Sequence, residues 1–134
     1  MSRSRILLAD DHELVLAAVA EFLKDQYEVI AAVSDGQSAL DAAFRLDPDV
    51  AVLDISMPNM TGLEAAVKMR ELGLKTKVVF LTGYADPESI KAALDSGALG
   101  YVLKRRLASD LPLAIEAAAM GQRFISSSLA ADRN

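Results

Sequence analysis

Four short apolar runs, none of them interrupted by polar residues, constrain what this chain can fold into: Ile6-Leu7-Leu8-Ala9, Val50-Ala51-Val52-Leu53, Val78-Val79-Phe80-Leu81 and Tyr101-Val102-Leu103. Strands that are apolar at every position have both faces covered, as in a parallel sheet between layers of helices. Each run also ends on a reactive polar group: Asp10-Asp11, Asp54, Thr82 and Lys104. Ligands of open parallel sheets bind beyond the carboxyl ends of the strands. Carboxylates, a hydroxyl and an ammonium would therefore meet at one edge.

The stretches between these runs have helical spacing. From 12 to 24, Leu14, Ala17, Ala18, Glu21 and Phe22 set an i, i+3, i+4 rhythm. A further strand is predicted over 27–33, closed by Ser34-Asp35-Gly36, and a helix over 37–46 stopped by Asp47-Pro48. A helix over 61–72 ends at Gly73, and Asp86-Pro87 supplies an N-cap and a first-turn proline for a helix over 88–96 that Gly97 ends. Ser109 caps a last helix over 110–120, followed by Gly121; residues 122–134, with Ser126-Ser127-Ser128, read as a tail without a strong pattern. Five β/α units of this kind imply a three-layer α/β sandwich with right-handed crossovers.

Composition narrows the function. The chain has 134 residues, 52% of them hydrophobic and 25% charged, which suits one packed domain rather than two or a disordered segment. No apolar run approaches the ~18 residues of a membrane span, and the opening Met1-Ser2-Arg3-Ser4-Arg5 leads into a strand-sized run, so a cytoplasmic location is expected. There is no cysteine, so a hydroxyl or a carboxylate must perform any covalent chemistry. A net charge of −5 weighs against nucleic-acid binding by the chain itself. Neither G-x-G-x-x-G after the first strand nor G-x-x-x-x-G-K-[ST] is present.

The polar strand ends are ordinary one by one. Asp10 or Asp11 would serve to cap the first helix, Asp54 would serve as a solvated loop carboxylate, Thr82 as a turn residue, and Lys104 as part of the basic loop Lys104-Arg105-Arg106. Together they suit phosphoryl transfer. Two adjacent carboxylates repel unless a cation lies near, and oxygen ligands from Asp10, Asp11 and Asp54 resemble a Mg²⁺ site that keeps waters and also holds a phosphoryl group. Asp54 is then the nucleophile, while Thr82 donates a hydrogen bond to the transferred group and Lys104 neutralises it.

The pattern Leu8-Ala9-Asp10-Asp11-His12, Leu53-Asp54-Ile55-Ser56-Met57-Pro58 with Gly62-Leu63-Glu64, Leu81-Thr82, Gly97-Ala98 and Gly100-Tyr101-Val102-Leu103-Lys104 closely resembles receiver domains of bacterial two-component response regulators. The resemblance spans about residues 5–121. It implies a flavodoxin-like (βα)5 fold with a parallel five-stranded sheet in the order 2-1-3-4-5. It implies Mg²⁺ bound through Asp10, Asp11, Asp54 and the Ser56 backbone carbonyl, and phosphorylation of Asp54 by a sensor histidine kinase. Tyr101 matches the switch aromatic that turns inward when Thr82 closes on the phosphoryl group. Ser56 and Tyr84, two residues beyond Asp54 and Thr82, match positions flanking the path of the attacking water, where a bulky Tyr84 is expected to slow dephosphorylation. Ala9-Asp10-Asp11-His12 and Gly121-Gln122-Arg123-Phe124-Ile125-Ser126 are most similar to the LuxR/NarL type, whose receivers precede a helix-turn-helix DNA-binding domain. A receiver over 1–121 and a tail or linker over 122–134, leading to an output domain outside this chain, follow from that likeness, with a stand-alone regulator as the other arrangement.

Two positions depart from the pattern: Arg105 replaces the proline that commonly follows the lysine, and Asn59 stands where a loop glycine is common. Asn tolerates a left-handed backbone better than most residues. His12 fits an exposed first-turn residue better than a general base. The apolar surplus of the last helix, with Leu111, Leu113, Ala114, Ile115, Ala117, Ala118 and Met120, suits either a homodimer face or an alanine-rich monomer surface. An aspartyl-nucleophile phosphatase is disfavoured because such enzymes place both acids as D-x-D on one strand. A flavin-binding or phosphorylation-independent binding module of the same fold is the other rival.

Overall fold

A computed structural model of the protein describes residues 3–83 and 86–126. The elements run β1 (Arg5–Ala9), α1 (Glu13–Leu23), β2 (Glu28–Val33), α2 (Gly36–Leu46), β3 (Val50–Leu53), α3 (Gly62–Glu71), β4 (Lys77–Thr82), α4 (Pro87–Asp95), β5 (Gly100–Leu103), a 3-10 turn (Lys104–Arg106), α5 (Leu107–Ala119) and β6 (Phe124–Ile125). All strand pairs are parallel, in the order β2-β1-β3-β4-β5-β6. The expected 2-1-3-4-5 sheet is present, and one short strand extends it at the β5 edge.

The unbroken apolar runs are explained by two separate cores. Leu7, Ala9, Ala51, Leu53, Phe80 and Tyr101 point to the face covered by α2, α3 and α4. Their strand neighbours Ile6, Leu8, Val50, Val52, Val79 and Val102 point to the face covered by α1 and α5. Since successive side chains leave a strand on opposite faces, each strand must be apolar throughout. Burying a leucine or isoleucine side chain stabilises the fold by about 1.5–3 kcal/mol, so each central strand anchors both layers. β2, at the sheet edge, is only partly buried.

Turn chemistry ends the elements where the sequence predicts. Gly73, Gly97 and Gly121 have φ of 76°, 95° and 74° and follow α3, α4 and α5. After α3 the Gly73 and Leu74 N–H groups donate to the carbonyls of Arg70 and Met69, each at 3.0 Å, the paired closure that a left-handed residue permits. Thr61 and Glu64 form a reciprocal capping box on α3, and Asp86 accepts the Ser89 N–H at 3.0 Å ahead of Pro87. Asn59 takes the left-handed conformation at φ 69°.

Two segments differ from expectation. α5 starts at Leu107, not 110, because the 3-10 turn feeds straight into it; Ser109 is therefore not the N-cap, and Pro112 lies inside the helix. Among the described residues no peptide bond is cis, and Arg105 sits within that turn. The stretch read as a tail contributes β6, which bonds along β5 and the residue before it: Phe124 N–H donates to the Leu99 carbonyl at 2.8 Å and Ser126 N–H to that of Tyr101 at 2.9 Å. Residues 127–134 lie outside the described residues, as does Tyr84. Among the described residues no helix is long and apolar enough to cross a membrane.

Gly62 brings α3 against the Asp54 loop. Its N–H donates to the Ile55 carbonyl at 2.8 Å, and a Cβ there would lie 1.9 Å from the Asp54 carbonyl oxygen. Gly62→Ala is therefore expected to destabilise the fold by about 2 kcal/mol or more, read as a lower urea midpoint with an unchanged slope.

Candidate functional site

Parallel register brings the reactive strand ends together. Ala9 pairs with Leu53 and Thr82 with Leu103, so Asp10, Asp54 and Lys104 each follow the last residue of a neighbouring part of the sheet. The ladder continues one step past the strands, since the Asp54 N–H donates to the Ala9 carbonyl at 2.9 Å and the Asp10 N–H to the Val33 carbonyl at 3.1 Å. Both carboxylate backbones are thus anchored. Asp10 and Asp54 are only 4% and 5% exposed, and Thr82 is fully buried.

Lys104 stands between the two carboxylates. Its Nζ donates to Asp54 Oδ2 at 3.0 Å and lies 2.8 Å from Asp10 Oδ2. The second approach is an ion pair without hydrogen-bond geometry, so Asp10 Oδ2 is a buried oxygen that receives no hydrogen bond. Asp10 Oδ1 accepts the His12 N–H at 2.9 Å, and Asp54 Oδ1 faces the Ser56 N–H at 3.3 Å. His12, largely exposed, reaches Asp10 and Asp11 through Nδ1 at 3.2 and 3.3 Å. It is the N-cap residue of α1 and makes no side-chain cap, so neither aspartate serves as that cap.

Burial pushes the Asp54 carboxyl above its ordinary range and the Asp10 charge adds to this, against the hydrogen bond and charge of Lys104 and the Ser56 amide. Burial disfavours the charged Lys104 ammonium, yet its close contacts with the Asp10 and Asp54 carboxylates, and their charge, outweigh this and raise its pKa. The pocket is therefore an acidic cluster held together by one cation.

The donor set suits a hard divalent ion. Ligand atoms of Asp10, Asp11, His12 and Asp54 all lie within 4.8 Å of one another, three of the four being carboxylates. With Asp10 Oδ2 lacking a hydrogen-bond donor, an oxygen-seeking cation fits this pocket. The Asp11 and Asp54 carboxylates open on a cleft of about 540 Å³, lined also by His12, Val15, Ser56, Gly83 and Lys104, large enough for a phosphoryl group.

Tyr101, on the strand that delivers Lys104, is fully buried in the cluster that includes Ile90 and Ala93 of α4. Burial, with the Asp86 charge, pushes its phenol up to about 12. The predicted residues Asp10, Asp11, Asp54, Ser56, Thr82 and Lys104 therefore gather at the carboxyl edge. Sequence reasoning missed the support behind Lys104: Arg106 Nε donates to Asp110 Oδ2 at 2.9 Å, and Ser126 Oγ accepts the Leu103 N–H at 3.1 Å. The i, i+4 spacing of Arg106 and Asp110 was the only available signal.

The structure is thus a doubly wound parallel sheet with an acidic pocket, a threonine and a lysine at its carboxyl edge. The chain belongs to the response regulator receiver domain family, whose model matches residues 6–116, and its relatives are of the LuxR/NarL type. It is 39% identical over 129 residues to the transcriptional regulatory protein LiaR of Bacillus subtilis, covering 94% of this chain and 61% of that protein. The structure is similar to the signal receiver domain of the putative response regulator NarL from Mycobacterium tuberculosis, with TM-score 0.87, 31% identity and 91% and 100% of the two chains covered. It is also similar to a LuxR-family two-component response regulator from Aurantimonas sp. SI85-9A1, with TM-score 0.91, 30% identity and 96% and 94% covered. The chain spans about three fifths of the length of LiaR.

The raised Asp54 pKa has a signed consequence for the metal-free protein. Folding favours the protonated carboxyl, so its stabilising contribution is present at low pH and is lost as pH rises from the ordinary 3.8 through the folded-state value. At neutral pH the ionised group then costs stability. Asp54→Asn is expected to raise the urea-unfolding free energy at pH 7 by about 1 kcal/mol, with the gain vanishing below pH 3.8. A loss of stability at pH 7 would contradict the assignment. In Lys104→Met, Asp54 should titrate at higher pH than in the wild type, as carboxyl ¹³C NMR would record.

Proposed function

We propose that this domain is a phosphorylation-controlled switch in which Asp54 accepts a phosphoryl group from a phosphohistidine of a sensor histidine kinase. An Asp54 carboxylate oxygen attacks phosphorus in line, the P–N bond to the donor imidazole breaks with its electron pair leaving on nitrogen, and an acyl phosphate forms. Asp10, Asp11, Asp54 and the Ser56 backbone carbonyl would hold Mg²⁺, which would neutralise charge on the phosphoryl oxygens.

The chain's own groups account for the rest. Lys104 already touches Asp54 Oδ2, so a phosphoryl group placed on that carboxylate meets the ammonium. Thr82, fixed at the end of β4, receives another phosphoryl oxygen through its hydroxyl, and Tyr101 on the adjoining strand takes up the rearrangement near α4. Ser56, exposed beside Asp54, together with Tyr84 sets how readily water reaches the acyl phosphate. The observation that supports this reading most is the contact of one lysine with two buried carboxylates, one of which, Asp54, lines an acidic cleft.

Transcriptional output through a helix-turn-helix domain is part of the proposal. LiaR, named as a transcriptional regulatory protein, extends beyond the region this chain matches. The protein acts in the cytoplasm, where its kinase would present the phosphohistidine. Leu113 on α5 and Met120, the residue that ends it, are 56% and 71% exposed and offer an apolar face to a second copy of the chain.

Intact-mass measurement after incubation with phosphoramidate and Mg²⁺ tests the proposal. The wild type is expected to gain one phosphoryl group, and Asp54→Asn, or wild type with a chelator, to gain none. A folded wild type that stays unmodified would overturn the phosphoacceptor reading.

A further inference from the structure

The cluster behind Lys104 has no part in the phosphoryl chemistry above, yet it is buried and polar. Asp110 is 4% exposed and Ser126 is fully buried. Asp110 accepts from Arg106 Nε at 2.9 Å and from the Ser109 hydroxyl at 3.0 Å, while Ser126 Oγ takes the Leu103 N–H at 3.1 Å. Burial acts to raise the Asp110 carboxyl, but its hydrogen bonds with Arg106, Ser126 and Ser109 hold it below the ordinary range, so the carboxylate remains charged. Buried charges persist where they are paired, and a fully paired network rigidifies what it binds.

What this network binds is the Leu103 amide just before Lys104 and, two residues after it, the side chain and carbonyl of Arg106, the latter accepting from the Ser109 hydroxyl at 3.3 Å. Leu103, immediately before it, is the last residue of β5, and its N–H is held by Ser126. Arg106, two residues after it, closes the 3-10 turn and is held from α5 by Asp110. Lys104 has a long flexible stem, so the placement of its ammonium between Asp10 and Asp54 depends on where its backbone is fixed. Arg105, exposed within the turn, adds no ring constraint.

We infer that Ser126, supported by Asp110 and Arg106, is a positioning residue for Lys104, so that the strand formed by Phe124–Ile125 keeps the lysine aligned on the phosphoacceptor pocket. This deepens the proposed phosphoacceptor function and rests on it. Displacement of about an ångström in a charge-neutralising group is enough to slow a reaction substantially, even when the group itself is intact.

The test uses Ser126→Ala and Asp110→Asn, each shown to be folded by circular dichroism and urea unfolding, with two readouts. The first is the rate of phosphoryl gain from phosphoramidate at saturating Mg²⁺. The second, taken on metal-free protein, is the ¹H–¹⁵N signal of the Lys104 side-chain ammonium, which is protected from water exchange only while the carboxylates hold it. Ser126→Ala is expected to slow phosphorylation about fivefold or more, to leave Mg²⁺ affinity at the wild-type value, and to broaden the Lys104 signal. Asp110→Asn should act in the same direction and carries the test if Ser126→Ala does not fold. A wild-type rate or an unchanged ammonium signal in a folded variant would overturn the inference. If the wild type itself gains no phosphoryl group, the proposed function fails, and the ammonium signal alone then decides whether Ser126 positions Lys104.

Discussion

One lysine holding two buried carboxylates is the interaction on which the pocket depends. Asp10 and Asp54 come from strands that are neighbours in the sheet, so their proximity is dictated by backbone pairing and not chosen by the side chains. Two such carboxylates would be driven to protonate if nothing cationic lay between them. Lys104, delivered from β5 across β4, permits the charged arrangement and leaves one Asp10 oxygen without a hydrogen-bond donor. The result is an acidic pocket that a single lysine makes tolerable and that further positive charge would favour.

The sheet makes this concentration of polar groups unavoidable. Every residue of β3 and β5 is buried, and their alternate side chains are claimed by two different cores. Polar chemistry has nowhere to go except the strand ends. The close approach of α3 sharpens the geometry: because residue 62 is glycine, the helix start presses on the Asp54 carbonyl and helps fix the loop that presents the carboxylate.

Much of this was legible in the sequence because local signals and tertiary demands agree. Non-alternating runs marked the buried strands, glycine after an amphipathic stretch marked the helix ends, and Asp86-Pro87 marked a helix start. The residue types of the pocket were legible because each lies at the end of a run. Disagreement between local and tertiary signals explains the failures. Ser109 followed by Asp110 and Pro112 has the look of a helix start, but the helix begins three residues earlier because the turn after β5 is already helical in hand. A two-residue strand has no periodicity to read, and Ser126 in a polar run looks like solvent-exposed tail although it is buried. The contact of Lys104 with both carboxylates depends on a flexible side chain, which no sequence pattern encodes.

The short sixth strand alters the polarity of the chain's path. A helix that follows a strand in a parallel fold carries the chain back to the amino-terminal edge of the sheet, so a domain ending with α5 would release its chain on the side away from the pocket. β6 reverses that direction once more, running alongside β5 so that Ser126 emerges at the carboxyl edge. The last described backbone thus lies on the same rim as the acidic cleft, with Leu103 as its immediate neighbour. Two residues of strand are enough to bring the chain from the amino-terminal edge of the sheet back to the reactive rim.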